Sequence, residues 1–546
     1  MAYRVAELVV DSLLAHGVDR AFSVPGESFL ALLDALYART DFDLVTCRHE
    51  GSASLCAVAD AKLTGRAGVV LASRGPGAFN AAIGVHVAAE EAIPLVLLIG
   101  QVDTANLGRG AVQEIDSSRA FSGLLKWSGR IDRPSLAAEV MARAFAAATS
   151  GTPGPVAVEL PEDVLTQLVE QRPARLNGVA RAEASAEDAA RVQRLLAHAR
   201  RPIMIVGGEC RSDEFRADLG RLASQWNIPV AVTNKNQDQF DNRDPKWVGQ
   251  LGFFTSTAHA SLFAEADLLI ALGSRMGDVS SLGFAIPRQD SDPQKLVHIY
   301  PDPGSIGRHF RTELPIVSTA HAFVRVALAQ GGMSSTSGEW LDKVRKAAQR
   351  THGWQPEHIV EEDVMGHAVT AIEKVCVEDA ILTTDSGNFA SWVHRIFKMG
   401  PRNRLLGSAC GAMGSGVPAG LAAGLRFPGR QVIAFCGDGG FLMNGNELST
   451  AVARGLDLKV VVSNNGSYGT IRAHQQRHFP QRVSGTDLCN PHFAHLAVAF
   501  GARGFRIETA REAEAVVSEA MATPGPVLIE VVSHPDISVD RSLRWN

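Results

Sequence analysis

The chain has 546 residues, 46% hydrophobic and 20% charged, with a formal net charge of −5. That length suggests about three domains, and charge spread without a basic block or acidic tail argues against a nucleic-acid or membrane-surface partner. No apolar run approaches the roughly 20 residues of a membrane span, and seven scattered cysteines without a CxxC spacing read as buried free thiols in a reducing cytoplasm.

The opening MAYRVAELVVDSLLAHGV carries Glu7 and Asp11 inside an apolar pattern, which predicts an amphipathic helix rather than a signal peptide. A β-like run, FDLVTC (42–47), is followed by Glu50 at the start of a helical stretch, where an acid alone would be ordinary dipole stabilisation. GVVLASRGPG (68–77), a helical stretch, IPLVLLIG (93–100) and finally TPGPVAVE (152–159) complete the first third. A polar, Ala-rich linker (173–190) leads to RPIMIVGG (201–208), which opens a different α/β domain. That domain continues through ADLLIALGSRMGD (266–278) and KLVHIYPDPGSIGR (295–308) to a second linker, GGMSSTSGE (331–339).

The last third repeats the first. QVIAFCGDGG (431–440), a helical stretch and LKVVVSNNG (458–466) precede TPGPVLIE (523–530), and 91 positions separate Phe435 from Pro526 against 84 from Leu71 to Pro155. The expected fold class is α/β, with three domains each built on a mainly parallel sheet flanked by helices, the first and third related by duplication. Their expected extents are 1–172, 190–332 and 345–546.

The copies differ where chemistry would sit. After the matching strand the first has Ser73-Arg74-Gly75-Pro76-Gly77, and the last has Gly437-Asp438-Gly439-Gly440. Asp438 and Asn465 would fall just beyond the carboxyl ends of neighbouring parallel strands, where such folds bind ligands. One Asp, one Asn and a glycine-rich backbone suit Mg²⁺ bridging a diphosphate, since Mg²⁺ takes oxygen ligands and often only one or two carboxylates. No GxxxxGK[ST] or EF-hand run competes with this, and GSGVPAG (414–420), interrupted by Pro418, is a poor dinucleotide fingerprint.

GDGG (437–440) followed by NN (464–465) resembles the signature of thiamine-diphosphate (ThDP) enzymes. VPGES (24–28), RHEGSAS (48–54), RGPGAFNA (74–81), GRGAVQEID (108–116), GTPGPVAVELPEDV (151–164) and GAMGSGVPA (411–419) resemble the acetolactate-synthase-like branch. The resemblance implies a pyrimidine-binding first domain, a diphosphate-binding last domain, and cofactors held between the first domain of one subunit and the last of another. An obligate homodimer or homotetramer follows from that arrangement.

Residue by residue, the resemblance implies Mg²⁺ ligation by the side chains of Asp438 and Asn465 and the backbone carbonyl of Ser467. Gly439, Gly440 and the second loop Gly387-Asn388 would approach the diphosphate, while Tyr468 and Gly469 complete the NNxxYG run. Glu50 would hydrogen-bond N1′ of the aminopyrimidine and so support proton removal from thiazolium C2. Met413 would sit under the cofactor and set its bent conformation, with the Gly411 carbonyl on the 4′-amino group, and Gln113 would face C2.

Two departures bear on substrate. Val112 stands where acetolactate synthases usually have Phe, and GTIRAHQ (469–475) replaces GMVxQWQ, so that Ile471 and His474 would line a differently shaped acceptor pocket. The His-His pair of pyruvate-decarboxylase-type enzymes is missing from this position. GSRMGD (273–278) and HIYPDPGSIGR (298–308) resemble a flavin-binding region, but Tyr300-Pro301 and LGFF (251–254) depart from it, and FAD is not favoured. The implied activity is decarboxylation of a small 2-oxo acid and transfer of the acyl-anion equivalent to a carbonyl acceptor. The alternatives are a non-ligating decarboxylase, a flavin-dependent 2-oxo acid oxidase and a catalytically silent ThDP-binding sensor.

Overall fold

The computed structural model describes residues 3–37, 39–170, 172–173, 180–253, 255–290, 294–332, 337–352 and 359–534. Phe254 and the linker stretches 174–179 and 333–336 lie outside the described residues.

Strands that are apolar along their whole length cannot expose either face, and that is the pattern parallel sheets require. Leu95–Gln101, Leu268–Leu272 and Val432–Gly437 are of this kind, and the three sheets that result have six parallel strands each. Across the first sheet the order is Asp43–Thr46, Arg20–Ser23, Gly68–Ser73, Leu95–Gln101, Pro155–Pro161, Trp127–Arg130. Across the last it is Arg404–Gly407, Ile381–Thr384, Val432–Gly437, Leu458–Asn464, Val527–Val532, Arg503–Ile507. Numbered within each domain, both run 2-1-3-4-6-5, as the internal sequence repeat requires. The middle sheet runs 3-2-1-4-5-6, the order of dinucleotide-binding sheets. GSRMGD and Tyr300-Pro301 follow the ends of two adjacent strands there, Leu268–Leu272 and Lys295–Tyr300.

The duplication extends to one buried carboxylate. Glu159 of TPGPVAVE and Glu530 of TPGPVLIE each stand opposite an arginine of the edge strand, Arg130 and Arg506. Glu159 accepts hydrogen bonds from the Ser117 amide (2.8 Å) and hydroxyl (2.7 Å), with Arg130 at 3.4 Å. Glu530 accepts from Arg506 (2.7 Å), the Ala494 amide (3.2 Å) and the Asn464 side chain (2.7 Å). Both carboxylates are essentially sealed from water, and a buried charge is tolerable only when paired and hydrogen-bonded in this way.

Contacts divide the chain into two compact units that do not follow its linear order. One comprises Met1–Ala180, Ser408–Gly429 and Gly440–Leu458. Here the helix Gly416–Arg426 lies on the helix Glu50–Thr64, with the Cys56 thiol donating to the Pro418 carbonyl at 3.1 Å. Arg426 forks onto Asp60 (2.8 and 2.9 Å) and Asp19 (2.9 and 3.1 Å). The other unit comprises Arg181–Gly407, Arg430–Gly439 and Lys459–Asn546 and carries the middle and last sheets.

The predicted N-terminal helix is present as Val5–Ala15, begun by a capping box between Arg4 and Glu7. All seven cysteines are free, but the expectation that they are buried holds only for Cys47, Cys56 and Cys436. Cys489 is exposed, and Cys210, Cys376 and Cys410 are half-buried. Among the described residues no helix is long and apolar enough to cross a membrane.

Four histidines of the second unit are sealed from water: His259, His298, His352 and His394. His352 meets Trp247 edge-on at 5.1 Å and His259 at 6.1 Å. Burial lowers His259 to about 4 and His352 to about 3. Both are neutral at pH 7 in either state, so their cost is absent above the unfolded value near 6.5. As pH falls below 6.5, the unfolded chain takes up protons that the folded chain refuses. Each should remove about 2 kcal/mol of stability between pH 7 and pH 5. Urea unfolding at the two pH values reads this loss, and His259→Leu should flatten part of the profile.

Candidate functional site

The strand Val432–Gly437 leads into Asp438, the first residue of the helix Asp438–Asn444, and the adjacent strand Leu458–Asn464 leads into Asn465. The helix has only seven residues, so the loop offers a few amides rather than a long dipole. What the two strand ends share is the Asp438 carboxylate. Its Oδ1 accepts from the Gly439 amide at 2.8 Å. Its Oδ2 accepts from the amides of Asn465 (3.2 Å) and Gly466 (2.8 Å) and from the Asn490 side chain (2.8 Å).

Asp438 is 3% exposed, and among the described residues no lysine, arginine or histidine pairs with it. Burial pushes its carboxyl above the usual range, against the hydrogen bonds from Gly439, Asn490 and Gly466 that favour the ion. A sealed carboxylate with ample donors and no counter-charge is suited to receive a cation. Among the described residues the Asn490 Oδ1 and Ser467 Oγ are also buried without partners. An oxygen-only environment of this sort fits a hard divalent ion such as Mg²⁺.

The other residues of the predicted set gather around this carboxylate. Asn465 Oδ1 accepts from the Ser467 amide at 3.1 Å, and the Ser467 carbonyl accepts from the Gly469 amide at 2.8 Å, so each oxygen retains a lone pair. The Tyr468 ring lies on Gly439, where a Cβ would come within 2.5 Å of it, and a Cβ on Gly469 would meet the Asn465 amide nitrogen at 2.8 Å. Gly440 is buried in the same short helix. The second loop joins through Asn388, whose Oδ1 accepts from Thr470 at 2.9 Å. Asn388 and Asn465 line one cavity of about 30 Å³ with Phe389 and Ser463. A Cβ at Gly387 or at Gly437 would press on the Phe389 ring, at 2.9 and 3.2 Å.

Sequence reasoning missed Asn490. It lies 52 positions beyond Asp438 in LCNPHF, a stretch without a chemical signature, and no spacing rule connects the two. The role of the first Asn of the NN pair was also missed: Asn464 Oδ1 accepts from Asn490 at 2.9 Å while its amide donates to Glu530.

Glu50 belongs to the other unit. It opens the helix Glu50–Thr64, whose N-cap is His49, accepting from the Gly51 amide at 2.9 Å. Asn80, the last residue of the helix Arg74–Asn80, donates to Glu50 Oε2 at 2.9 Å. A Cβ on Gly77 would stand 3.2 Å from Oε1, so glycine leaves that oxygen unobstructed. Gln113 comes to the other end of the same short helix, its carbonyl accepting from Gly75 at 2.9 Å. Its φ of +64° is held by a loop in which the Glu114 carboxylate takes the amides of Gly108, Gly110 and Ala111. Those amide bonds keep Glu114 below the ordinary carboxylate range.

Gly411 (φ +84°) and Gly414 (φ +81°) supply left-handed turns on either side of Met413, which is half-buried. The turn is tied to the Glu50 helix through Asn444, which donates to the Gly414 carbonyl (3.0 Å) and accepts from Ser52 (2.9 Å). The predicted residues therefore divide between the units: Glu50, Gln113, Gly411, Met413 and Gly440 in one, and Asp438, Gly439, Asn465, Ser467, Tyr468, Gly469, Gly387 and Asn388 in the other.

Three domain families cover most of the chain. The N-terminal TPP binding domain of thiamine pyrophosphate enzymes matches residues 3–120, the central domain residues 189–326 and the C-terminal TPP binding domain residues 385–531. The acetolactate synthase large subunit of Parasynechococcus marenigrum (strain WH8102) is 32% identical over 96% of this chain and 87% of its own. The acetolactate synthase isozyme 2 large subunit of Escherichia coli (strain K12) is 30% identical over 96% of this chain and 95% of its own. A probable acetolactate synthase large subunit of Methanocaldococcus jannaschii is also 30% identical, over 97% and 92%. The chain is a thiamine-diphosphate-dependent enzyme and belongs to the thiamine pyrophosphate enzyme family.

Proposed function

We propose that this protein is a Mg²⁺- and ThDP-dependent carboligase that decarboxylates a small 2-oxo acid and transfers the acyl-anion equivalent to a carbonyl acceptor. The observation that carries the reading is the sealed Asp438 carboxylate, rich in donors and without a counter-charge, shared by the two strand-end loops GDGG and NNG. Bound ThDP supplies an electron sink for the electrons left by departing CO₂. The protein's part is to hold, orient and move protons.

Asp438, the Asn465 side chain and the Ser467 carbonyl would hold Mg²⁺ on the diphosphate. Gly439, Gly440, Gly387 and Asn388 would approach the phosphate oxygens, with Tyr468 and Gly469 completing the loop. Glu50 would donate its proton to N1′ from Oε1, the oxygen that Gly77 leaves clear, while Asn80 holds Oε2. Met413 would press the cofactor into its bent form, the Gly411 carbonyl would hold the 4′-amino group, and Gln113 would face C2.

Ligation is favoured over aldehyde release because Gln113, not a histidine pair, would face the reacting carbon. Ile471 is 54% exposed and His474 shares its helix, Gly469–His478, in which no residue is buried. Such a face is free to line an acceptor pocket. FAD is not favoured in the middle domain, and a purified protein that carries flavin absorbance would overturn that statement.

Each cofactor is proposed to lie between the first domain of one subunit and the last domain of another, so the working form is a homodimer or homotetramer. Glu50→Gln should lower turnover at saturating cofactor by at least about 100-fold and slow thiazolium C2–H exchange into deuterated water. Asp438→Ala should abolish retention of Mg²⁺ and ThDP, read by equilibrium dialysis. Mixing the two inactive variants with subunit exchange should restore about a quarter of wild-type activity, because half the dimers are hybrids with one sound site of two. No recovery in demonstrated hybrids would place each site within one chain. A panel of 2-oxo acids with and without aldehyde acceptors, following CO₂ and ligated product together, decides the reaction; CO₂ without ligation under every acceptor would make the protein a simple decarboxylase.

A further inference from the structure

Asp438 Oδ2 is occupied by three N–H donors, two from the backbone of the NNG loop and one from Asn490. Oδ1 has a single donor, the Gly439 amide. A carboxylate oxygen has room for about two lone-pair partners, so Oδ2 is saturated and Oδ1 retains capacity. The donor that makes the difference is the only side chain of the three, and it is anchored from behind. The Asn490 amide nitrogen also donates to Asn464 Oδ1, Asn464 donates to Glu530 Oε1, and Arg506 holds the same oxygen at 2.7 Å.

The first domain shows which part of this chain of contacts is general. Glu159 has its arginine and its helix-start amide, and Gln101, at the position matching Asn464, reaches it only at 3.5 Å. At the position matching Asp438 stands Arg74, which pairs with Glu162 at 2.9 Å instead. The Glu–Arg strut is therefore common to both domains, whereas the extension from Asn464 through Asn490 to the carboxylate belongs to the domain that carries Asp438.

Resting on the proposed Mg²⁺ site, the geometry points to Asn490 as a positioning residue for the metal centre. It fixes Asp438 Oδ2, leaves Oδ1 as the oxygen offered to the cation, and is itself braced by the Asn464–Glu530–Arg506 strut. Asn490 acts through Asp438 and touches neither substrate nor reacting atoms in this assignment.

The test uses Mn²⁺ as the probe, its free concentration read by electron paramagnetic resonance in the full-length protein with ThDP present. Asn490→Ala should weaken Mn²⁺ binding by about tenfold or more, the usual effect of removing a group that orients a metal ligand. Activity titrated with Mg²⁺ should show the same shift in half-saturation, with kcat at saturating Mg²⁺ within about threefold of wild type. Asn464→Ala, which cuts the brace without touching Asp438, should weaken Mn²⁺ binding severalfold, and it carries the test if Asn490→Ala does not fold. Binding within twofold of wild type in a folded Asn490→Ala, or a loss of kcat that saturating Mg²⁺ does not restore, overturns the assignment. Asp438→Ala separates the two readings: if it too binds Mn²⁺ normally, the metal site itself is misplaced, whereas loss in Asp438→Ala with normal binding in Asn490→Ala defeats only the role of Asn490.

Discussion

One buried carboxylate without a counter-charge organises the last domain. Asp438 collects the second amide of its own short helix, two amides from the next strand's end and a side-chain amide from a third segment. Such a group costs several kcal/mol to desolvate unless every lone pair is used or a cation supplies what hydrogen bonds do not. The glycines around it follow from the same demand for closeness. Gly439 yields to the Tyr468 ring, and Gly469 yields to Asn465.

The duplicated domains show how one scaffold was given two tasks. Sheet order, strand register and the buried Glu–Arg strut are shared between them. Divergence is concentrated at the strand end and the short helix that follows it. Asp438 and Arg74 open seven-residue helices at matching positions with opposite charge, and those helices end at Asn444 and Asn80. Each closing asparagine is tied to the Glu50 helix or to Glu50 itself, Asn444 through Ser52 and Asn80 directly. The scaffold sets where a side chain stands, and the residue placed there differs in charge between the two copies.

Much of this was legible in the sequence because it depends on local signals. Apolar runs bounded by glycine predict buried parallel strands, and TPGPVAVE against TPGPVLIE disclosed the repeat before any fold was known. GDGG and NNG stood out because glycine and asparagine mark strand ends. What escaped notice depends on contacts distant in the chain. Asn490, Asn80 and Asn444 are ordinary asparagines until folding places them against a carboxylate or a carbonyl. The exposure of Cys489 was likewise invisible, because cysteine count and spacing report pairing and not position. The two compact units also cut across the linear order, since Ser408–Gly429 and Gly440–Leu458 cluster with the first 180 residues through helix contacts that no spacing in the sequence announces.

The strut repeated at Glu159 and Glu530 gives the molecule an internal reference. Both carboxylates have the same arginine register and a helix-start amide, but only one leads on to an aspartate at the strand end. The first copy therefore records what such a strut is worth to a folded domain alone, in the same chain and the same solvent. Any additional constraint at the second copy is one that the first does without, an internal contrast that proteins without a repeat do not offer.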